Sequence, residues 1–269
     1  MNLRIRLVIA RIKPLHQLMR WFMYNKGAFF YKRLYKERGY EQLFNLWKNS
    51  KKGKRCFLIG NGPSLKVEDL EKLKNEDCFG VNEIHRIFSQ TTWRPQYITI
   101  KDRYTKSTPE EIEKLDCEMV FLGDYYWRYN PIYRKDAICV REIYGFNTNK
   151  YKFSGDLRKG TYSAPTVVYT AMQIIAHFGY SEVYLLGFDH SYTFEFDKKG
   201  RVINTGKENT HFFKDDKASD IIGNVWGMTK AYEAFKEYAD KNGIIVKNAT
   251  RGGKLEIFER VDFDSLFRE

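Results

Sequence analysis

The strongest constraint on the fold is a short apolar run that ends in a glycine-rich turn. Residues 56–59 have the apolar composition of a buried strand, and the turn that follows reads Gly-Asn-Gly-Pro-Ser. An amphipathic stretch comes next, with apolar residues at positions 65, 67, 70 and 73. This order predicts a strand, a tight loop, and a helix that begins at the loop.

The turn, residues 60–64, is suited to hold an anion. A helix N-terminus leaves backbone N–H groups unpaired, and such groups bind phosphate. Gly60 and Gly62 would let a ligand approach the backbone, and Ser64 is a candidate N-cap. The turn lacks both the Gly-x-Gly-x-x-Gly spacing of a dinucleotide fingerprint and the Gly-Lys-Ser/Thr ending of a P-loop. Nucleotide phosphate binding and an ordinary turn before a capped helix therefore both stay open.

Further strand-like runs recur between helix-like stretches. They cover residues 78–82, 96–100, 119–122 and 182–189, and each ends at or within two residues of a polar side chain. Strands that alternate with helices indicate a doubly wound, mostly parallel, Rossmann-like α/β sheet. Ligands of such sheets bind beyond the carboxyl ends of the strands. The nucleotide-binding candidates at that edge are Gly60, Asn61, Gly62, Ser64, Asn82, Asp102 and Asp189.

Positive charge is concentrated at the N-terminus. Residues 1–55 contain 15 Lys and Arg against 2 Asp and Glu, a net charge of +13, whereas the whole chain carries +12. We therefore divide the chain into a basic helical extension, residues 1–53, and a catalytic domain, residues 54–269. Because the domain is nearly neutral, a nucleic-acid partner is not expected.

The extension mixes basic residues with apolar and aromatic ones. Such amphipathic helices bind anionic membranes, so residues 1–50 are predicted to hold a cytoplasmic protein on the inner face of the cell membrane. The alternative is that these helices pack on the domain or on a second subunit of a homo-oligomer. No apolar run is long enough to span a membrane, and no secretory signal is present. Four widely spaced cysteines without a CxxC pair suit a reducing compartment and argue against a zinc site.

A polar segment, residues 195–220, follows the strand that ends at Asp189. Its composition and length predict a mobile lid over an active site. The segment contains His211, and histidine is the natural general base near neutral pH. His190, next to Asp189, is the rival candidate. The alternative for either histidine is a structural role through hydrogen bonds.

Three sequence blocks carry a resemblance to known proteins. They are residues 60–65, Asn82, and residues 179–189, which end in Gly-Phe-Asp. In these blocks the chain resembles the bacterial CMP-sialic acid sialyltransferases that cap lipooligosaccharide, and also the broader 6-hydroxymethylpterin pyrophosphokinase-like, or MptE-like, family. Residues 248–256 resemble the broader family more closely. The likeness extends over about residues 54–265.

The sialyltransferase resemblance implies roles for individual residues. The residues that would hold the CMP part of the donor are Asn61, Gly62, Ser64 and Asn82. Arg158 and Thr161 match an Arg and a hydroxyl residue that contact the donor just before the central helix. Tyr192 is the nearest match, offset by one position, to a tyrosine that assists departure of the phosphate. His211 takes the first position of a short His-containing segment, and Asp215 takes the second, which supplies the general base.

Two enzymatic functions and a non-enzymatic one follow. The first is a glycosyltransferase that moves a sialic acid-like sugar from a CMP-activated donor to a glycolipid or polysaccharide acceptor of lipopolysaccharide or capsule biosynthesis. It needs a base and charge stabilisation but no cofactor or metal. The alternative is a diphosphokinase that transfers pyrophosphate from ATP with Mg²⁺, with Asp102, Asp189 and Asp215 as metal ligands. The third is a membrane scaffold that retains a nucleotide-binding fold.

Overall fold

A central β-sheet with helices on both faces organises the chain. The computed structural model describes residues 18, 22, 28–101, 107–123, 134–145, 150–196, 201–206, 210–213 and 222–267. The strands are β1 (Arg55–Ile59), β2 (Cys78–Val81), β3 (Tyr97–Ile100), β4 (Met119–Leu122), β5 (Ala137–Cys139), β6 (Glu142–Ile143), β7 (Thr161–Tyr162), β8 (Glu182–Leu186), β9 (Phe194–Phe196), β10 (Val202–Asn204), β11 (Ile222–Gly223), β12 (Ile245–Asn248) and β13 (Glu259–Arg260). The α-helices are α1 (Ala28–Glu37), α2 (Tyr40–Trp47), α3 (Val67–Glu71), α4 (Pro109–Glu113), α5 (Val167–Phe178) and α6 (Val225–Asn242).

The eight strands of the central sheet are all parallel. Their order is β13-β12-β8-β1-β2-β3-β4-β5. The chain adds β2 to β5 on one side of β1, and then returns through α5 to place β8 on the other side. The strand order therefore reverses at β1, which makes this strand a topological switch point. The predicted doubly wound, mostly parallel, Rossmann-like sheet is confirmed.

Alternate residues of the strands supply two hydrophobic cores. In β1, Cys56 and Leu58 face one core, whereas Phe57 and Ile59 face the other. Neighbouring residues of a strand point to opposite faces, so a strand covered on both faces needs a nearly continuous apolar run. Helices α1, α2, α5 and α6 cover the first face, and α3 and α4 cover the second.

Helix α5 lies inside the first core, with every residue buried. The sequence predicted a helix over residues 162–178, but α5 begins later because the two residues of β7 pair with β6. The Thr166 hydroxyl caps the helix by accepting a hydrogen bond from the Val168 N–H at 3.2 Å. Gly179 ends it in the left-handed conformation at φ 78°, as its sequence position predicted.

Helices α1 and α2 pack against the domain, although the sequence assigned them to the extension. They contribute Tyr31, Leu34, Tyr35, Tyr40 and Phe44 to the first core. The Tyr40 hydroxyl donates to the Ala137 carbonyl at 3.1 Å, which ties α2 to β5. Part of the predicted extension therefore belongs to the core, as the packing alternative expects. The domain boundary after residue 53 stays a prediction.

The segment between α2 and β1 is hydrogen-bonded to the C-terminal end of α5. The Asn49 and Lys51 N–H groups donate to the carbonyls of His177 and Phe178, at 3.0 and 2.9 Å. These bonds satisfy carbonyls at the C-terminal end of α5 that have no partner inside the helix. Within the described part of the chain, no helix combines the length and apolar character needed to cross a bilayer.

Candidate functional site

The glycine-rich turn lies at the switch point and packs directly on the turn that follows β8. The Gly60 N–H donates to the Leu186 carbonyl at 2.8 Å, and the Gly62 N–H to the Gly187 carbonyl at 2.9 Å. A Cβ atom at position 60 or 62 would lie 2.5 or 2.6 Å from the Gly187 oxygen. The two glycines are therefore required by this close approach between loops. From the sequence alone, these glycines were expected to let a ligand approach the backbone.

Asp189 fixes the end of the turn. Its Oδ2 accepts hydrogen bonds from the Ser64 hydroxyl at 2.7 Å and from the Ser64 N–H at 3.3 Å. Ser64 is therefore not the predicted N-cap, since Lys66 occupies that position without a side-chain hydrogen bond. Helix α3 is only five residues long and carries two acidic residues in its first turn. Acidic side chains at a helix start disfavour an anion, so this short helix does not add to the case for phosphate binding, which stays a prediction.

A second glycine-rich turn meets Asp189 from the other side. The Lys254 N–H donates to the Asp189 carbonyl at 2.9 Å. Gly253 adopts φ +78°, and a Cβ atom there would lie 2.9 Å from the Asp189 Cα. The Thr250 hydroxyl oxygen accepts the Phe188 N–H at 2.9 Å. The loops after β1, β8 and β12 thus converge on one carboxylate residue.

Asn61 and Asn82 lie together at the carboxyl edge, as predicted. The Asn61 side-chain amide donates to the Val81 carbonyl at 3.1 Å, directly before Asn82 in the chain. Asn82 adopts φ 45°, and its Oδ1 accepts the Lys101 N–H at 3.4 Å. The Asn61 Oδ1 is buried and has no hydrogen-bond partner among the described residues. Buried acceptors are rarely left unpaired, so this atom is suited to accept a hydrogen bond from a ligand.

Residues 210–213 bring His211 to the same turn. The Phe212 N–H donates to the Asn61 carbonyl at 3.0 Å. The His211 Nδ1 lies 3.0 Å from the Thr210 hydroxyl oxygen, and the imidazole stacks on the Phe213 ring at 5.1 Å. The structure therefore places a candidate base beside the candidate nucleotide loop.

Two other predicted positions, Asp102 and Asp215, lie outside the described residues. The lid segment is described only in part. Its beginning forms β9 and β10, which pair antiparallel. The mobility of the lid stays a prediction.

His190 and Tyr192 turn toward α6. The His190 Nε2 lies 2.9 Å from the Thr229 hydroxyl oxygen. That hydroxyl donates its only proton to the Val225 carbonyl, so the His190 Nε2 must carry a proton and donate. Burial lowers the pKa of His190, which favours the neutral ring. The Tyr192 hydroxyl donates to the Met228 sulfur at 3.5 Å. Both contacts fit the structural alternative.

Arg158 and Thr161 do not contact the turn in the structure. The Arg158 guanidinium pairs with Asp156 at 2.6 and 2.8 Å and with the Asn45 side chain at 2.8 Å. The Leu157 N–H, next to it, donates to His177 near the C-terminal end of α5. That end lies at the amino edge of the sheet, because Lys51 and Asn49 bind there ahead of β1. The geometry therefore separates Arg158 from the site that the resemblance assigned to it.

Thr161, in contrast, lies near the carboxyl edge, in β7. Its hydroxyl donates to the Arg141 carbonyl at 3.3 Å. The side chain is fully buried, so it braces the pairing of β7 with the segment after β5.

A buried ion pair at the carboxyl edge escaped the sequence analysis. The Lys101 ammonium lies 3.2 Å from Glu142, and donates to the Ser163 hydroxyl at 3.0 Å and the Ala164 carbonyl at 2.9 Å. The Tyr144 hydroxyl donates to the other Glu142 oxygen at 2.8 Å. The sequence signal is a lysine that directly follows a buried strand and precedes the predicted site residue Asp102. A buried ion pair adds little net stability, because removing both charges from water is costly.

The described residues include only one of the three aspartates predicted as Mg²⁺ ligands, and metal dependence stays a prediction. No three His, Cys, Asp or Glu side chains come close enough there to hold a metal ion. Of the three aspartates predicted as Mg²⁺ ligands, only Asp189 is described, and Ser64 already occupies its Oδ2. The remaining carboxylate oxygen is the one donor that this residue offers to a cation.

The fold places the chain among the doubly wound α/β proteins, a class whose ligands bind at the switch point of the sheet. Within that class the chain belongs to the MptE-like family. The family model, described as 6-hydroxymethylpterin diphosphokinase MptE-like, matches residues 30–195. The match includes the glycine-rich turn and Asp189, and starts within α1. A comparison with curated proteins finds no similar relative. The predicted resemblance to the broader MptE-like family is thus confirmed.

Proposed function

We propose that the chain is a transferase that binds a nucleotide at the carboxyl edge of β1. The observation that carries this proposal is the buried, unpartnered Oδ1 of Asn61 at the switch point. An amino or hydroxyl group of a nucleoside would supply the missing hydrogen bond. The Phe212 N–H fixes the backbone of the same asparagine, so a ligand there would lie beside His211.

The donor that we propose is a CMP-activated acidic sugar of the sialic acid type, and the acceptor is a glycolipid or polysaccharide. Support comes from the sequence resemblance of residues 60–65 and 179–189. In this reaction His211 accepts the proton of the acceptor hydroxyl, while the oxygen bonds to the anomeric carbon. The bond from that carbon to the phosphate oxygen breaks, and CMP leaves with the bonding electrons. Asp215 is the second candidate base, and no resident cofactor is required.

The test combines binding and turnover. CMP should raise the unfolding midpoint of the wild-type protein, since a ligand that binds only the native state stabilises it. Incubation with CMP-sialic acid and related CMP-nonulosonates should release CMP. Asn61→Ala should weaken both responses, whereas Asn242→Ala, at the exposed end of α6, is the matched control. The proposal fails if CMP gives no shift and no donor of the panel releases CMP.

The alternative is an ATP-dependent diphosphokinase, which the description of the family favours. It would transfer pyrophosphate to a hydroxymethyl group and release AMP, with Mg²⁺ held by phosphate oxygens and a few carboxylates. The same thermal-shift series, extended to ATP, GTP, CDP and UDP with and without Mg²⁺, separates the two. A shift with ATP that depends on Mg²⁺, followed by AMP formation, selects the alternative over the CMP-sugar reaction.

We further propose that the N-terminal segment holds the protein on an anionic membrane, at the cytoplasmic face, near a lipid-linked acceptor. Leu18 and Phe22, four residues apart, are 56% and 64% exposed. Because α1 and α2 contribute to the core, the informative truncation removes only residues 1–27. That variant should lose sedimentation with vesicles containing anionic lipid, and full-length protein should lose it at high salt. Equal sedimentation of both proteins contradicts the proposal.

A further inference from the structure

Residues 210–213 are attached to the edge of the sheet by side chains as well as by one backbone hydrogen bond. The guanidinium of Arg86 lies over the Phe213 ring at 4.9 Å from its centre. The same ring stacks against the His211 imidazole, with 25° between the two planes. Phe212 meets Phe213 edge-on at 4.9 Å and packs against the second hydrophobic core.

Arg86 comes from the element that follows Asn82. It lies in the 3₁₀ turn Ile84–Ile87, which begins two residues after Asn82. Its guanidinium also pairs with Glu83 at 3.0 Å. The segment that carries His211 is thus joined to the loop after β1 by the Phe212 N–H, and to the loop after β2 by Arg86.

The backbone hydrogen bond and the side-chain contacts have different effects on the segment. The backbone hydrogen bond to Asn61 fixes where the segment lies, but it does not orient the imidazole ring. Stacking on Phe213 restrains the plane of the ring, in addition to the contact of its Nδ1 with the Thr210 hydroxyl, and the arginine in turn restrains the Phe213 ring. A cation over an aromatic face contributes most when it is partly removed from water, and the Arg86 side chain is 35% exposed.

We propose that Arg86 and Phe213 form a clamp that holds residues 210–213 on the glycine-rich turn and orients His211. Both are positioning residues, since they act through the imidazole and not on the reacting atoms. The existence of the clamp is independent of the reaction. Its role in turnover rests on the function proposed above, in which His211 accepts a proton from the acceptor.

The first experiment needs no substrate. Amide hydrogen exchange of the full-length protein should be faster at Phe212 in Phe213→Leu and in Arg86→Ala, by about tenfold if the clamp contributes like a partly buried cation–π pair. Phe213→Tyr keeps the ring and should exchange like the wild type. Arg94→Ala is the matched control, because the Arg94 guanidinium lies over the Phe88 ring at 4.4 Å, away from this segment. Unchanged exchange at Phe212 in both clamp variants overturns the proposal.

The second experiment measures CMP release from a CMP-sugar donor. Phe213→Leu should lower kcat by about tenfold while KM for the donor changes little, since an orienting contact acts on the transition state. Phe213→Tyr should restore the rate. If His211→Asn has no effect on turnover, the proposed base is wrong, although a faster exchange would still establish the clamp. If His211→Asn abolishes turnover and Phe213→Leu leaves kcat intact, the positioning role is wrong.

Discussion

At the amino edge of the sheet, the half-buried Asp77 carboxylate is paired with two side chains, whereas at the carboxyl edge Asn61 and Ser191 each have a buried oxygen that lacks a partner among the described residues. Asp77, at the amino edge, accepts hydrogen bonds from the Lys51 ammonium at 2.9 Å and the Tyr180 hydroxyl at 2.8 Å. At the carboxyl edge, the buried Asn61 Oδ1 and Ser191 Oγ have no hydrogen-bond partner among the described residues. Unpaired buried atoms cost stability, so they mark the edge at which a ligand would supply the missing bonds.

His177 represents the amino edge in this comparison. Its Nε2 donates to the Phe44 carbonyl at 2.8 Å, and its Nδ1 accepts the Leu157 N–H at 3.3 Å. The ring thereby joins α2, α5 and the segment before β7. Both ring nitrogens of this fully buried histidine are used in hydrogen bonds that hold the fold together. Neither nitrogen is left to bind a ligand.

The largest effect is expected for His177→Ala. The variant leaves the Phe44 carbonyl and the Leu157 N–H unpaired and opens a cavity, so the free energy of unfolding should fall by about 3 kcal/mol. Denaturant unfolding measures this loss, and CMP binding by the remaining folded protein should be unchanged. If the variant kept wild-type stability but lost CMP binding, the distinction between a structural amino edge and a ligand-binding carboxyl edge would be wrong.

The same histidine predicts a pH dependence. Burial lowers the pKa of His177 below its ordinary value of 6.5. The unfolded chain therefore takes up this proton at a higher pH than the folded one. The stability that the folded protein gains from neutral His177 is complete above pH 6.5. It is lost as the pH falls through 6.5 toward the pKa of His177 in the folded protein. Urea midpoints at pH 5 and pH 8 should differ less in His177→Gln than in the wild type.

At the carboxyl edge, Gly62→Ala should disturb both stability and binding. The added Cβ would lie 1.9 Å from the Asp189 Oδ2, so one of the two loops must move. Overpacking of this kind costs about 1–3 kcal/mol, and the displaced turn should also lose CMP. Gly145→Ala is the comparison variant, because no atom lies within 4 Å of its added Cβ and its backbone is not in the left-handed conformation. Isothermal titration and thermal unfolding together measure the effect, and a tolerated alanine at position 62 would contradict the geometry.

Asn61→Ala should separate binding from stability most clearly. The change removes one hydrogen bond to the Val81 carbonyl but also removes an unpaired buried oxygen, so the two effects on stability should nearly cancel. The affinity for CMP should fall by about tenfold, as expected for a lost hydrogen bond of about 1.4 kcal/mol. Equal affinity in wild type and variant would show that Oδ1 meets no ligand.

The smallest effect is expected for Arg158→Ala. The guanidinium is exposed and pairs with Asp156 and Asn45, near the amino edge of the sheet and away from the turn. Neither the unfolding midpoint nor the CMP affinity should change beyond experimental error. A marked loss of CMP affinity in this variant would restore the role that the resemblance implied and would bring a second region into the site.

The parallel sheet was predictable because runs such as β1 and β8 are apolar on both faces and alternate with helical patterns. The placement of Asn61 and Asn82 followed from the rule that strand ends share an edge. The role of Ser64 did not follow, since its partner Asp189 is brought close only when β8 inserts beside β1. Likewise, the sequence of α1 and α2 shows amphipathic helices but not the surface that their aromatic residues cover.

The contact between Gly62 and Asp189 restricts how related chains can diverge. A side chain larger than glycine at position 62 occupies the space of the Asp189 carboxylate, and a different residue at 189 leaves the Ser64 hydroxyl without its acceptor. Changes at these three positions are therefore expected to occur together. Relatives that bind a different ligand at this edge should vary in the surrounding loops first, while the three residues are inherited as a unit.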